Sequence, residues 1–105
     1  MNKKLISMEI IFENTDSEYY EIQRKSVLDE LKSLCLNYPG ISKAYVLFNI
    51  CNDYRGSRKT CEIKLLTTGP EFLVISNEKT FKKAISDCIS DLVSQLADFP
   101  YNKVA

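Results

Sequence analysis

The chain has 105 residues, in which 14 lysine and arginine residues balance 14 aspartate and glutamate residues, and it contains no histidine. This length is typical of one domain, so we expect residues 1–105 to form a single core. Hydrophobic residues make up 45% and charged residues 27%, a balance typical of a globular chain rather than a disordered or membrane one. Because the net charge is zero, attraction to nucleic acid would require local segregation of charge.

The basic start, Met1-Asn2-Lys3-Lys4, is followed by a short apolar stretch that Ser7 and Glu9 interrupt. This pattern predicts a strand rather than a signal peptide. No apolar run approaches the roughly 20 residues that a membrane span requires. We therefore expect a cytoplasmic protein without a membrane partner.

The four cysteines, at positions 35, 51, 61 and 88, form no CxxC motif. With no histidine available, this spacing argues against a zinc site, and we expect no metal or cofactor. Cys51 and Cys61 flank a predicted hairpin, but strand parity places them on opposite faces. We predict buried or inert thiols.

The first elements are a strand and a helix. Residues 5–13 alternate between apolar and polar and predict a half-buried strand. Thr15 and Glu18 match a capping box for a helix over roughly residues 16–37, which Pro39-Gly40 ends. The apolar positions of the strand are Ile6, Met8, Ile10 and Phe12, and those of the helix are Tyr20, Val27, Leu31, Leu34 and Tyr38.

Three strands are predicted next. The second and third are joined by residues 52–58, a polar loop that we expect to be longer than a two-residue turn. Gly69-Pro70 makes the following turn, and Glu71–Ser76 forms a short fourth strand. The residues predicted to face the core are Ala44, Val46, Phe48 and Ile50, then Cys61, Ile63 and Leu65, then Phe72 and Val74.

The last helix has the most regular apolar pattern in the chain, running from Phe81 to Leu96 at helical spacing. Asn77 or Ser76 is the expected N-cap, and Pro100 follows the helix end. Both helices have one apolar stripe. We therefore predict an α+β fold of order β-α-β-β-β-α, a two-layer sandwich in which a four-stranded mixed sheet carries both helices on one face. The first strand should be parallel to the second, because a helix joins them.

The other face of the sheet is more apolar than solvation alone requires. Scattered surface hydrophobic residues and a homodimer or partner surface both explain this composition. The candidate interface residues are Tyr45, Leu47, Leu66, Leu73 and Ile75, beside Glu62 and Lys64.

The run Ala44-Tyr45-Val46-Leu47-Phe48 before a hairpin, the run 69–74 and a last helix that ends in Ser94-Gln95-Leu96 are similar to the short ribosome hibernation-promoting factors. These proteins are also called ribosome-associated inhibitors or ribosomal subunit interface proteins. The resemblance covers nearly the whole chain through element order and apolar spacing. It implies a fold related to the double-stranded-RNA-binding domain. It also implies binding to rRNA in the decoding channel of the small ribosomal subunit, and silencing of translation under stress.

The chain departs from the basic pattern of that family. Family members carry Lys or Arg late in the first helix and along the exposed side of the last helix, where this chain has Glu30, Ser33, Asp91 and Ser94. Arg24 matches the family pattern. The resemblance therefore supports the fold more strongly than it supports ribosome binding.

The predicted topology brings the start of the first helix, the hairpin and the start of the last helix to one end of the domain. This basic end suits RNA phosphates, and Tyr54 could stack on a base. Its lysines at 79, 82 and 83 oppose the helix macrodipole, so we expect none of them to stabilise the helix. The alternative is a solvated surface, since acidic residues, among them Asp53 and Glu78, lie at the same end. The candidate RNA-binding residues are Arg24, Lys25, Arg55, Arg58, Lys59, Lys79, Lys82 and Lys83.

No nucleophile motif or glycine-rich phosphate loop is present, so we expect neither an enzyme nor a small-molecule substrate. The leading hypothesis is a non-catalytic modulator of translation or ribosome hibernation that binds the small subunit. The alternative is a protein-interaction or dimerisation module with the same fold that no longer binds the ribosome.

Overall fold

The computed structural model describes residues 8–13, 20–38 and 40–98. Its elements in chain order are β1 (Glu9–Phe12), α1 (Glu21–Asn37), β2 (Ile41–Asp53), β3 (Gly56–Thr67), β4 (Glu71–Glu78) and α2 (Phe81–Ala97). The strands form one sheet of order β1-β2-β3-β4. The predicted α+β class and element order are confirmed. Neither helix is long and apolar enough to cross a membrane.

The sheet is mixed, as predicted. β1 is parallel to β2, with Ile10 opposite Ala44, whereas β2–β3 and β3–β4 are antiparallel. Residues directly opposite each other in a sheet share a face. Val46 and Ile63 are such a pair, and both belong to the one buried cluster that also contains Leu31 of α1 and Leu92 of α2. Both helices therefore cover the same face of the sheet and leave the other face open.

Helix α1 ends where the sequence predicts. Its last residue is Asn37, and the Tyr38 N–H donates to the Leu34 carbonyl at 3.0 Å. The capping box at Thr15 and Glu18 and the strand position Ile6 lie outside the described residues. Met8 is buried, and Ile10 and Phe12 pack against the core, which confirms the apolar face of β1.

The prediction of a long hairpin loop over residues 52–58 is wrong. Asp53 pairs with Gly56, and only Tyr54 and Arg55 form the turn. Gly56 has φ of 115°, a conformation that glycine adopts without strain, and the Asp53 Oδ1 accepts from the Arg55 N–H at 2.8 Å. The polar residues beside the turn are strand residues because the hairpin extends past β4, so neither of its faces needs to be apolar.

The fourth strand and the cap of the last helix also differ from prediction. β4 continues to Glu78, because Asn77 and Glu78 still pair with Thr60 and Lys59 of β3. Asn77 and Ser76 are therefore strand residues and not the N-cap. Thr80 caps α2 instead: its Oγ1 accepts from the Lys83 N–H at 3.1 Å.

This cap makes a testable contribution to stability. Replacing Thr80 by Ala should lower the free energy of unfolding by about 0.5–2 kcal/mol, because one helical N–H loses its acceptor. Thr80→Ser, which keeps the hydroxyl, is the matched control and should change stability by less. Chemical denaturation of both variants measures the difference, and equal losses would contradict the capping role.

Three of the four cysteines are buried, and Cys51 is exposed. Cys51 and Cys61 lie on opposite faces of the sheet, as parity predicts: Cys61 is opposite Phe48 in the core, and Cys51 is opposite Arg58 outside it. The Cys88 thiol donates to the Cys61 carbonyl at 3.1 Å. The contact with Cys88 and burial together raise the pKa of the Cys61 thiol, so it stays protonated.

Candidate nucleic-acid interface

The starts of the two helices and the middle of β2 meet at one end of the domain. The Tyr20 ring stacks on Phe48 with centroids 5.7 Å apart, and it contacts Phe81 edge-on at 5.8 Å. Phe48 and Phe81 are 5.5 Å apart. Three aromatic rings thus join the start of α1, β2 and the start of α2 at the end of the domain where the sequence predicts the basic residues.

The hairpin places its cations in three different environments. Arg58 donates from Nε to the Asn77 Oδ1 at 3.1 Å and from Nη2 to the Asn77 carbonyl at 3.3 Å, which holds it beside the turn that precedes α2. Both acceptors are neutral groups, and Arg58 is in no ion pair among the described residues. Arg55 forms an ion pair with Asp53 at 3.2 Å, and the Lys59 ammonium donates to the Ser57 hydroxyl at 3.0 Å.

Tyr54 lies at the tip of the hairpin and is 95% exposed. The Arg55 guanidinium carbon is 5.7 Å from its ring centroid, within the range of a cation–π contact. The tip lies about 12 Å beyond the last pairing between β3 and β4, at roughly 3.3 Å per strand residue. An exposed ring on a projecting arm has the geometry that stacking on a base requires, and the stacking role itself stays a prediction.

The three lysines at the start of α2 do not form one patch. Lys79 is exposed in the turn, Lys82 lies in the groove between α1 and α2, and Lys83 lies on the opposite flank of the helix, towards β4. Lys83 donates to the Asp87 carboxylate at 2.9 Å, four residues along the same helix. Lys79 and Lys82 are in no ion pair among the described residues.

Lys83 differs from Lys79 and Lys82, because its pair with Asp87 offsets part of its unfavourable interaction with the helix dipole. That none of the three lysines stabilises the helix stays a prediction. The hydrogen bond from Lys83 lowers the pKa of Asp87, and the same bond raises the pKa of Lys83. The favourable interaction of the Lys83–Asp87 pair is therefore present at neutral pH, and it is lost as pH falls through the lowered pKa of Asp87.

In α1, Lys25 is exposed, Arg24 is half-buried, and neither lines the groove between the helices. The groove holds a cavity of about 430 Å³, with Ile85 and Ile89 on its floor. Ser26 and Glu30 of α1 face Lys82 across it. No prediction from the sequence included this groove, although the small side chains Ser26, Ser86 and Ser90 at positions beside the apolar stripes were a signal for it.

The positions where the family pattern expects cations are divided between two surfaces. Glu30 lines the groove, whereas Asp91 and Ser94 line a separate cleft beside β4. Ser33 is exposed on α1. Arg58, Lys79 and Lys82 are in no ion pair among the described residues, but Arg58 lies on the open face of the sheet, opposite Cys51, whereas Lys82 lies in the groove between the helices.

The five predicted interface residues all lie on the open face of the sheet. Leu73 and Ile75 are 50% and 58% exposed, while Tyr45, Leu47 and Leu66 are half-buried. Charged residues interrupt the apolar surface: the Lys43 and Lys64 ammonium groups lie 5.9 and 5.5 Å from the centroid of the Tyr45 ring.

Ile11 belongs to the same face, because it pairs with Tyr45, and it is not among the interface residues predicted from the sequence. The alternation of β1 was the signal, since Ile11 falls between the core residues Ile10 and Phe12.

The fold matches solved structures of known proteins. The chain aligns with a ribosomal subunit interface protein from Coxiella burnetii at a TM-score of 0.68 and 15% sequence identity, over 90% of this chain and 97% of that one. It aligns with the N-terminal domain of Protein Y from Thermus thermophilus at a TM-score of 0.64 and 20% identity, over 83% of this chain and 90% of that one.

This is the fold of the ribosomal subunit interface proteins. The structural comparison confirms the fold that the sequence resemblance implied. No protein-family model matches the chain. No curated protein matches it in sequence either. At 15% and 20% sequence identity, these two matches establish a shared fold and nothing beyond it.

Proposed function

We propose that this protein is a non-catalytic, ribosome-associated factor that binds rRNA of the small subunit and modulates translation or ribosome hibernation in the cytoplasm. The observation that carries the proposal is the match of nearly the whole chain to a ribosomal subunit interface protein, which the chain covers over 97% of its length. A match over 90% of this chain and 97% of the other favours a shared role over a shared supersecondary motif.

The charges of the basic end support the RNA-binding part of the proposal. Arg58 contacts Asn77 just before the turn that leads into α2, Lys79 lies in that turn and Lys82 lies in the first turn of α2. None of the three is in an ion pair among the described residues. Phosphate oxygens accept well from such side chains, and a helix N-terminus adds N–H donors and a favourable dipole. Tyr54 would add stacking on an unpaired base.

Co-sedimentation with purified ribosomal subunits tests the proposal. We expect the protein to sediment with small subunits at low salt and to be released as salt rises, because each phosphate contact adds about 0.9 to the log–log salt slope on a duplex. Large subunits are the control. Absence of binding at both low and moderate salt, or equal binding to both subunits, would contradict the proposal.

A second candidate function, a protein-interaction module that has lost the ribosome, is favoured by the acidic and hydroxyl residues at positions 30, 91 and 94. The double variant Asp91→Lys with Ser94→Lys restores the family pattern on α2. If those substitutions weakened an ancestral contact, the variant should bind small subunits more tightly than the wild type. Failure of both proteins to bind would favour the interaction module.

A further inference from the structure

Strand β4 forms the edge of the sheet opposite β1, and within the described part of the chain no strand pairs with its far side. Alternate residues of an antiparallel edge strand direct N–H and C=O groups away from the sheet, where another extended chain can pair with them. Natural proteins protect such edges with proline, inward-pointing charge or a bulge. The central part of β4, residues 73–77, contains no proline and no charge, and its register with β3 has no bulge.

The side chains of β4 that point to the open face of the sheet are apolar near the middle of the strand. Leu73 and Ile75 point to the open face of the sheet, opposite Lys64 and Glu62 of β3, and they are more exposed than the other apolar residues on that face. A strand added beside β4 would place its own outward side chains next to these two residues. Cross-strand apolar pairs stabilise a sheet, so apolar residues are favoured at the outward positions of the added strand.

The side of the β4 edge that faces α2 is polar and acidic. A cleft of about 380 Å³ lies between the β4 edge and α2, and its lining includes Ser76 of the strand and Asp87, Asp91 and Ser94 of the helix. By the alternation of the strand, Glu78 at the end of β4 is on the same side, opposite Lys59 of β3. Lys83 is the one lysine on this flank of α2, so carboxylates outnumber cations here although the whole chain is neutral.

From these observations we propose that the β4 edge binds an extended segment of a partner protein in which apolar residues alternate with lysine or arginine. Alternation is required because successive residues of a strand point to opposite faces. The apolar residues would cover Leu73 and Ile75, and the basic residues would reach Asp91 of the cleft, which is in no ion pair among the described residues, whereas Asp87 is already paired with Lys83. The proposal goes beyond ribosome association and depends on different residues, namely Leu73, Ile75 and Asp91, although Arg58 contacts Asn77 at one end of the edge.

A second copy of this chain is a poorer occupant. Two β4 edges that pair with each other bring the same acidic flanks together, and like charges across neighbouring strands are destabilising. RNA is also disfavoured, because its phosphates would face Asp87 and Asp91. Charge complementarity therefore selects a basic protein segment.

The probe for the test is a blocked seven-residue peptide of alternating valine and lysine, titrated into the ¹⁵N-labelled full chain while backbone amide signals are recorded by NMR. We expect saturable shifts centred on residues 73–78 and on the β4-facing flank of α2. A matched peptide with glutamate in place of lysine should produce none. Shifts confined to β1 or to the groove between the helices, or equal binding of both peptides, would overturn the proposal.

Two variants test the edge from its two sides. Ile75→Lys places a charge on the exposed apolar side and should weaken peptide binding by about tenfold or more, whereas Leu36→Lys, an equally drastic change at an exposed apolar residue of α1, should leave binding unchanged. Asp91→Lys converts attraction into repulsion and should weaken binding by about fivefold.

Sedimentation velocity of the free chain over a range of concentrations completes the test. A monomer at all concentrations is expected. Self-association that Ile75→Lys abolishes would overturn the proposal in favour of a second copy as the occupant. Asp91→Lys also separates this proposal from the proposed function, because the substitution should weaken peptide binding without weakening binding to small subunits.

Discussion

Replacing Leu92 by Ala should lower the free energy of unfolding by about 2–5 kcal/mol, a large part of the 5–15 kcal/mol that stabilises a typical domain. Leu92 is completely buried on α2 and belongs to the cluster that contains Val46 and Ile63. Truncation of this side chain leaves a cavity between helix and sheet, and it also removes buried apolar surface. Chemical denaturation monitored by circular dichroism measures the effect.

The neighbouring residue provides the control. Val93 is 41% exposed on the same helix, so Val93→Ala should change stability by no more than about 0.5 kcal/mol. A loss below about 1 kcal/mol for Leu92→Ala, or equal losses for both variants, would mean that α2 contributes little to the core.

Replacing Arg58, Lys79 and Lys82 together by Ala should weaken binding to small subunits or structured RNA by about tenfold or more at low salt. If each side chain contacts one phosphate, the triple variant should also reduce the log–log salt slope on a duplex by about 2.7. Stability should change little, because the two lysines oppose the helix dipole and Arg58 makes only exposed hydrogen bonds. Filter binding over a range of salt concentrations measures both quantities.

Two controls are needed for this experiment. Lys32, Lys43 and Lys64 replaced together by Ala give the same change in net charge away from the basic end, and they should leave RNA binding nearly unchanged. Lys83→Ala should have a smaller effect than Lys82→Ala, because the Lys83 ammonium is already paired with Asp87 at 2.9 Å. Equal losses from the two triple variants would mean that net charge alone governs binding.

The fold could be predicted because each strand and helix carries an apolar pattern that is visible in its own residues. The alternation in β1 and the helical spacing from Phe81 to Leu96 each identify an element without knowledge of its neighbours. The predictions were wrong where strand pairing, rather than the polarity of the local sequence, decided the structure. Asn52 and Ser57 are polar, yet they oppose each other in a ladder because the projecting hairpin is solvated on both faces. Similarly, the partner β3 extends β4 to Glu78 and leaves capping to Thr80.

The candidate site could be predicted only in part. Topology was enough to bring the starts of both helices to one end, where Tyr20 contacts Phe81. It could not show that Lys82 and Lys83 lie on opposite flanks of α2, or that Asp53 and Asp87 neutralise Arg55 and Lys83. These differences depend on side-chain directions and distances that a list of residues at one end does not contain.

For this protein the sequence by itself determined the elements, their order and the residues of the core, because apolar periodicity records which face of each element is buried. The tertiary structure decided which charges remain unpaired, where the groove and the cleft beside α2 lie, and which strand edge is open. Those properties arise between elements distant in the chain: Arg58 meets Asn77, and Ser76 lies beside Asp87, only after β3, β4 and α2 have packed.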